Sequence, residues 1–328
     1  MTSEPDLVAL CADIKLAIPR IAQHSSQTPL LRIQALDQLI DGEVLLKAEC
    51  LQATGSFKIR GALNAMSAIT GQSDINAVVA FSSGNHGIGV AYAARCLGTA
   101  ATIVLPSDAP QTKVRQIISL GARIIYYDRQ IEDREQIANA LLVDASVALI
   151  KPYDDWHTIA GQGTCGAEIQ TQVPGELDSV IVCAGGGGLA AGVGTYLRSH
   201  QPRLRIYTAE PEDWADHQQS FAAGRRIALT STTPTLCDGL MAREPGALTF
   251  AINTLNHTQG LSAPDSRVVT AMRLVWQHLG LRLEPSGAIG VACLLAWPER
   301  FQGQRVAITL SGGNVDKPLF DRLISLAG

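Results

Sequence analysis

Lys58 stands in the run Thr54-Gly55-Ser56-Phe57-Lys58-Ile59-Arg60-Gly61-Ala62, among small and apolar neighbours. The chain has only six lysines against twenty arginines. A lysine can shed its proton when water is stripped from it and then condense with an aldehyde. A guanidinium stays charged and cannot. Two further segments suit the same chemistry. Ser82-Ser83-Gly84-Asn85-His86-Gly87 is polar and follows an apolar run. Gly185-Gly186-Gly187-Gly188, with Leu189 behind it, follows another. Glycines between a strand and a helix let backbone amides close on a phosphate at the positive end of the helix. In a fourth segment, Glu210-Pro211-Glu212-Asp213-Trp214-Ala215-Asp216, carboxylates alternate with carbonyls, the donor types of a hard cation such as Mg²⁺, Ca²⁺ or Mn²⁺.

Each segment also has a plainer reading. Most lysines are solvated. Ser82, Ser83 and Asn85 could simply cap a helix, and four glycines could form a tight turn. The acidic segment alone reads as a solvated loop. The glycine spacing is not the G-x-G-x-x-G of a dinucleotide site, although the strand after its helix does end in Glu210. Taken together, the lysine, the polar loop and the glycine loop read as a site for pyridoxal phosphate. The lysine takes the aldehyde, the polar loop the ring and substrate, and the glycines the phosphate.

These segments need a scaffold that brings them together. Apolar spacing predicts a helix over Leu7–Ile21, a strand over Glu43–Ala48 and a helix over Ile59–Ile69. Strands over Ala77–Phe81, Ala101–Leu105 and Arg123–Tyr127 alternate with helices over Ile88–Leu97, Pro110–Leu120 and Asp133–Val143. A second set begins near Ile159. It has strands over Val180–Ala184, Arg205–Ala209 and Arg305–Leu310, and helices over Leu189–His200, Ser266–Leu279 and Gly287–Ala296. The β-α-β rhythm implies open parallel sheets with right-handed crossovers. Each chemical segment follows a predicted strand, where open α/β sheets bind ligands.

At 328 residues, 46% hydrophobic and 17% charged, the chain can bury one or two sizeable cores. A net charge of −4 leaves no basic footprint for nucleic acid. Seven scattered cysteines without a C-x-x-C suit a reducing compartment. No signal-peptide layout and no membrane-length apolar run is visible, so a cytoplasmic enzyme is expected.

The ordered set Ser56-Phe57-Lys58-x-Arg60-Gly61-Ala62, Ser82-Ser83-Gly84-Asn85-His86-Gly87, Ala160-Gly161-Gln162-Gly163-Thr164, the four glycines and Ser311-Gly312-Gly313-Asn314 resembles the fold type II pyridoxal phosphate enzymes. More narrowly it resembles the serine/threonine dehydratase and serine racemase group, from Thr28-Pro29-Leu30 to Asn314. The resemblance implies two α/β domains of the tryptophan synthase β-like architecture. A discontinuous cofactor domain would span residues 1–69 and 148–328, and a smaller domain over 70–147 would close on the substrate. It implies that Lys58 forms the Schiff base and takes the α-proton, and that Phe57 lies at the cofactor. Asn85 would bond the ring hydroxyl, and Gly185 to Gly188 with the Leu189 amide would hold the phosphate. Ser311, with Gly312, would meet the pyridine nitrogen, and Glu284 would lie near the ring. Ser82, Ser83, Asn85 and His86 would face the substrate. Glu210, the Trp214 carbonyl and Asp216 would match a cation site. A homodimer is expected from the same resemblance.

The implied reaction is β-elimination from a β-hydroxy amino acid such as L-threonine or L-serine, giving a 2-oxo acid and ammonia. A neutral partner at Ser311 favours prompt elimination. Ser83 matches the serine that faces the lysine across the cofactor in serine racemases and hydroxyaspartate dehydratases, so racemisation or threo-3-hydroxyaspartate elimination is an alternative, as is the dehydratase of hydroxyectoine breakdown. The stretch Asp238 to Gly246 resembles the threonine dehydratase form, and Ala242 lies where serine racemases often show a substrate-contacting serine, which argues against racemisation.

Overall fold

The computed structural model describes residues 4–70, 75–82, 84–142 and 145–326. Ser83, and the expected helix end at Val143, lie outside the described residues. Ten strands form two sheets among the described residues: β1 (Leu30–Leu31), β2 (Glu43–Lys47), β3 (Ala77–Phe81), β4 (Ala100–Pro106), β5 (Arg123–Tyr127), β6 (Val147–Leu149), β7 (Ser179–Cys183), β8 (Arg205–Pro211), β9 (Gln259–Ala263) and β10 (Arg305–Thr309). The larger sheet has the order β1-β2-β10-β7-β8-β9, and the smaller β5-β4-β3-β6. Every pairing is parallel except β1 with β2. The expected parallel sheets are present, with one short antiparallel edge added.

The central strand β7, Ser-Val-Ile-Val-Cys, is buried at every residue, as a strand covered by helices on both faces must be. The main apolar core surrounds the larger sheet, and a second one joins the smaller sheet to the helix Lys58–Thr70. The first helix runs Leu7–Ile21, and the Asp6 carboxylate accepts from the Val8 and Ala9 amides at its start. Five helices begin one to three residues earlier than their apolar spacing suggests, and two of these starts are at expected site residues. Lys58 opens the helix Lys58–Thr70, and Asn85 opens Asn85–Leu97. Polar residues can occupy a first turn because its amides need no intrahelical acceptor. The segment 82–87 is therefore half loop and half helix.

The Ala160–Thr164 motif falls inside the helix Trp156–Gln172 and is wholly buried. Its glycines let backbones touch. A Cβ on Gly161 would stand 2.5 Å from the Arg60 carbonyl, and one on Gly163 would stand 2.4 Å from Ile14. The motif is a packing device for three helices.

Beside it lies a buried charge cluster. Arg60 places Nε 2.7 Å and Nη2 2.8 Å from the two Glu49 oxygens, and Nη1 2.7 Å from Glu168. Lys47 Nζ donates to Glu168 at 2.6 Å, to the Thr28 carbonyl at 2.6 Å and to Gln172 at 2.9 Å. Two cations meet two carboxylates. Burial alone would raise the Glu49 carboxyl, but Arg60 and Lys47 outweigh it and hold it below its ordinary value.

Candidate active site

Segments from both sheets enclose a cavity of about 170 Å³. The sequence-predicted residues Phe57, Lys58, Ser82, Asn85, His86, Gly185 to Gly188, Leu189, Glu284 and Ser311 all line it. Gly312 does not. It sits behind Glu284, where a Cβ would fall 2.0 Å from the Glu284 carboxylate, so only glycine fits.

Lys58 Nζ donates to the Pro152 carbonyl at 2.8 Å and lies 5.2 Å from the Phe57 ring centroid. Part of its surface is accessible through the cavity. The surrounding protein still strips enough water to lower the amine to about 8. Lys47 and Lys113 are also buried, but both bond carboxylates. Lys58 has a carbonyl instead, so burial acts on it uncompensated.

The glycine loop joins β7 to the helix Gly188–His200. Gly187, with φ at +88°, makes the turn. No described group accepts from the amides of Gly185, Gly186, Gly187, Gly188 or Leu189. Five successive donors thus border the cavity at a helix N-terminus, which suits a phosphate. Tyr153 covers the loop: a Cβ on Gly186 would fall 2.2 Å from its ring.

Asn85 is held from both sides. Its amide nitrogen donates to Glu284, and its oxygen accepts from Asn314 Nδ2 at 2.9 Å. Burial raises the Glu284 carboxyl against the opposing pull of Lys113, whose Nζ lies 3.5 Å away. Lys113 also pairs with Asp238 at 2.8 Å, joining the smaller sheet's helix Gln111–Ser119 to the larger sheet's side. Ser311 Oγ lies 3.5 Å from the Ser286 carbonyl. Ser82 Oγ accepts from the amides of Gly84 and Gly87, each at 2.9 Å, so it caps the helix while lining the cavity. His86 Nε2 donates to the Ile150 carbonyl at 2.9 Å, and burial lowers the imidazole to about 3, which keeps it neutral.

Glu210 and Asp216 are fully buried but lie outside the cavity. Glu210 accepts from the His217 amide at 2.8 Å and the Gln218 amide at 2.9 Å. Neither Asp216 oxygen has a donor among the described residues. Burial raises Asp216 to about 7, and burial with Asp216's charge raises Glu210. Trp214 is buried beside them, its ring nitrogen donating to the Thr233 carbonyl at 2.9 Å. No third His, Cys, Asp or Glu joins them among the described residues. A carboxylate without donors beside a second carboxylate could take a hard cation whose other ligands are carbonyls and water.

Three cavity residues have no signature in the sequence: Lys113, Arg129 and Arg134. They follow β4 and β5 at no telling distance from Lys58. Arg134 stands 5.2 Å from the Phe81 ring centroid and makes no ion pair among the described residues. Arg129 reaches the same wall while pairing with Asp108 at 2.7 Å.

The cavity residues fit pyridoxal phosphate: a desolvated amine, five free amides, an oriented asparagine and a serine hydroxyl. Comparison with known proteins agrees. A family model described as "Pyridoxal-phosphate dependent enzyme" matches residues 21–312. An L-threo-3-hydroxyaspartate ammonia-lyase from Saccharomyces cerevisiae is 39% identical over 97% of each chain. The solved structure of maize serine racemase is 36% identical, with a TM-score of 0.89 over 99% of this chain and 98% of that one. A solved threonine deaminase from T.th. is 38% identical, with a TM-score of 0.87 over 93% of this chain and 98% of that one. The architecture is that of these fold type II enzymes; β-elimination from hydroxy amino acids is the chemistry that the ammonia-lyase and threonine deaminase names share with the expectation from sequence, and the racemase name matches the alternative. With its desolvated lysine, its free amides and these matches along nearly its whole length, the chain belongs to the pyridoxal-phosphate-dependent enzyme family.

Proposed function

We propose that this protein is an ammonia-lyase that converts threo-3-hydroxyaspartate to a 2-oxo acid and ammonia. The observation that carries the choice of substrate is Arg134, a cavity-lining guanidinium without a carboxylate partner, with Arg129 in the same wall. A substrate with a second carboxylate supplies that partner. The methyl of threonine offers that guanidinium no partner. The yeast relative's name points to the same substrate.

When bound, pyridoxal phosphate supplies an electron sink for charge developing at the substrate α-carbon. The chain's own residues do the rest. Lys58, about half neutral near pH 8 through desolvation, would hold the aldehyde and move the α-proton at Nζ. The glycine-loop amides hold the phosphate. Glu284 and Asn314 fix the Asn85 amide so that its second N–H is free for the ring hydroxyl. Ser311 offers a neutral group to the pyridine nitrogen. Ser82 and the neutral His86 border the substrate's α-carboxylate, with Ser83 in the same segment. Lys113, bridging to Asp238 and Glu284, joins the two sides of the cavity and helps exclude water.

Glu210, the Trp214 carbonyl and Asp216 form the cation site in this reading, with Mg²⁺ the first ion to try. The protein acts in the cytoplasm, where its seven unpaired cysteines suit a reducing compartment, and it works as a homodimer.

The test is a panel of L-serine, D-serine, L-threonine and both diastereomers of 3-hydroxyaspartate, read for 2-oxo acid and for enantiomer. The threo dicarboxylate should give the highest kcat/KM. Arg134→Met should erase that lead by about a hundredfold, the cost of leaving the substrate's second carboxylate unpaired. A lead for threonine in the unaltered protein would sink the choice of substrate. Enantiomer exchange faster than elimination would favour a racemase, with Ser83→Ala as the next variant.

A further inference from the structure

The carbonyls of the glycine loop are tied down one by one. The Gly185 carbonyl accepts from His217 Nε2 at 3.1 Å. The Gly186 carbonyl accepts from Thr249 Oγ1 at 2.6 Å, and the Gly187 carbonyl from Asn253 Nδ2 at 3.2 Å. His217, Thr249 and Asn253 are each wholly buried and none lines the cavity. They come from two separate helices, Asp216–Ala223 and Ala247–Leu255.

A peptide unit is planar, and its N–H and C=O point in opposite directions. Glycines add no side chain to fix their rotation, and the only backbone bonds on these three carbonyls among the described residues are from Gly246 N to Gly186 at 3.4 Å and from Ala191 N to Gly187 at 2.9 Å. Anchoring each carbonyl on the far side from the cavity turns the neighbouring amide toward the cavity. This accounts for three of the five consecutive amides that border the cavity with no protein acceptor, those of Gly186, Gly187 and Gly188. We infer that His217, Thr249 and Asn253 are positioning residues that pre-set the loop's amides for a phosphate group. The inference rests on the cofactor reading above.

Pyridoxal, which has the aldehyde but no phosphate, separates the possibilities. The apo protein is titrated with pyridoxal phosphate and with pyridoxal, and binding is followed by absorbance of the lysine-bound aldehyde. The unaltered protein should strongly prefer the phosphorylated form. Thr249→Val should weaken pyridoxal phosphate about tenfold, the worth of roughly one net hydrogen bond, and leave pyridoxal unchanged. Thr249→Ser keeps the hydroxyl and should restore the affinity. Asn253→Asp, which sets an acceptor against a carbonyl, should match or exceed the valine effect and stands in if Thr249→Val does not fold.

An equal loss for both aldehydes in the valine and aspartate variants would mean a merely structural role and overturn the inference. So would an undiminished preference for the phosphate in those variants. If the unaltered protein binds both aldehydes equally, the loop holds no phosphate, and the cofactor reading falls together with this one.

Discussion

Two groups of charges are buried in this protein, and they are built differently. Around Arg60, two cations face two carboxylates and the hydrogen bonds are well distributed. Around Asp216, two carboxylates face each other with no cation, and both Asp216 oxygens lack a donor among the described residues. The first cluster needs nothing from outside. The second is in electrical deficit and improves only by taking up a proton or a metal ion. Burial of charge therefore does not mark a functional site by itself; imbalance does. Lys58 is a third case: a partly buried cation with no carboxylate partner among the described residues, whose amine is lowered to about 8.

The contrast can be broken or sharpened by experiment. Arg60→Met leaves the fully buried Glu49 without its main partner and should cost about 3–5 kcal/mol of stability in urea unfolding. A loss below about 1 kcal/mol would put the two clusters in the same class. Lys58 should reveal its depressed amine kinetically. Protonated amine cannot attack an aldehyde, so capture of pyridoxal phosphate by the apo protein should rise about tenfold per pH unit below about 8 and level off above it. A rate that still climbs past pH 10 would show an ordinary, solvated lysine. The smallest effect concerns the deficit cluster. Asp216→Asn should stabilise the metal-free protein by about 1–2 kcal/mol by removing one of two like charges. It should also abolish any rise in Tm on adding Mg²⁺. If the unaltered protein and the variant respond equally to Mg²⁺, the cation site is elsewhere.

Lys58, the glycine loop and Ser311 are legible in the sequence because each follows a run of residues that can only be a buried strand. Strand ends are where such a fold gathers its ligands. What the sequence hides is anything assembled across the fold. The scarcity of lysine is a poor guide in itself, since Lys47 and Lys113 are buried too. What separates Lys58 is the lack of a carboxylate nearby, and pairing is decided by packing. Arg129 and Arg134 sit on a connection with no spacing relation to Lys58. His217 carries no metal spacing and has no role readable from sequence; its function shows only when the Gly185 carbonyl arrives beside it. The helix Ala247–Leu255 is hidden for a similar reason. Asp154 caps it from far away in the chain, accepting from Leu248 N at 2.8 Å and Thr249 N at 3.2 Å. Short strands such as β9, Gln-Gly-Leu-Ser-Ala, have no β-branched residue to announce them.

The tripeptide Pro152-Tyr153-Asp154 touches three things at once: the Lys58 amine, the glycine loop and the helix that carries Thr249. An insertion or deletion there would disturb all three together. The arginine segment, residues 129–134, makes no hydrogen bond to any of the three among the described residues. The cavity therefore has a frozen side and an exchangeable side. If Arg134 sets the substrate as proposed, trading the segment 129–134 should change which amino acid is accepted while the hydrogen bonds of residues 152–154 stay in place. The same division gives a practical rule for engineered diversity: randomise 129–134 and leave 152–154 untouched.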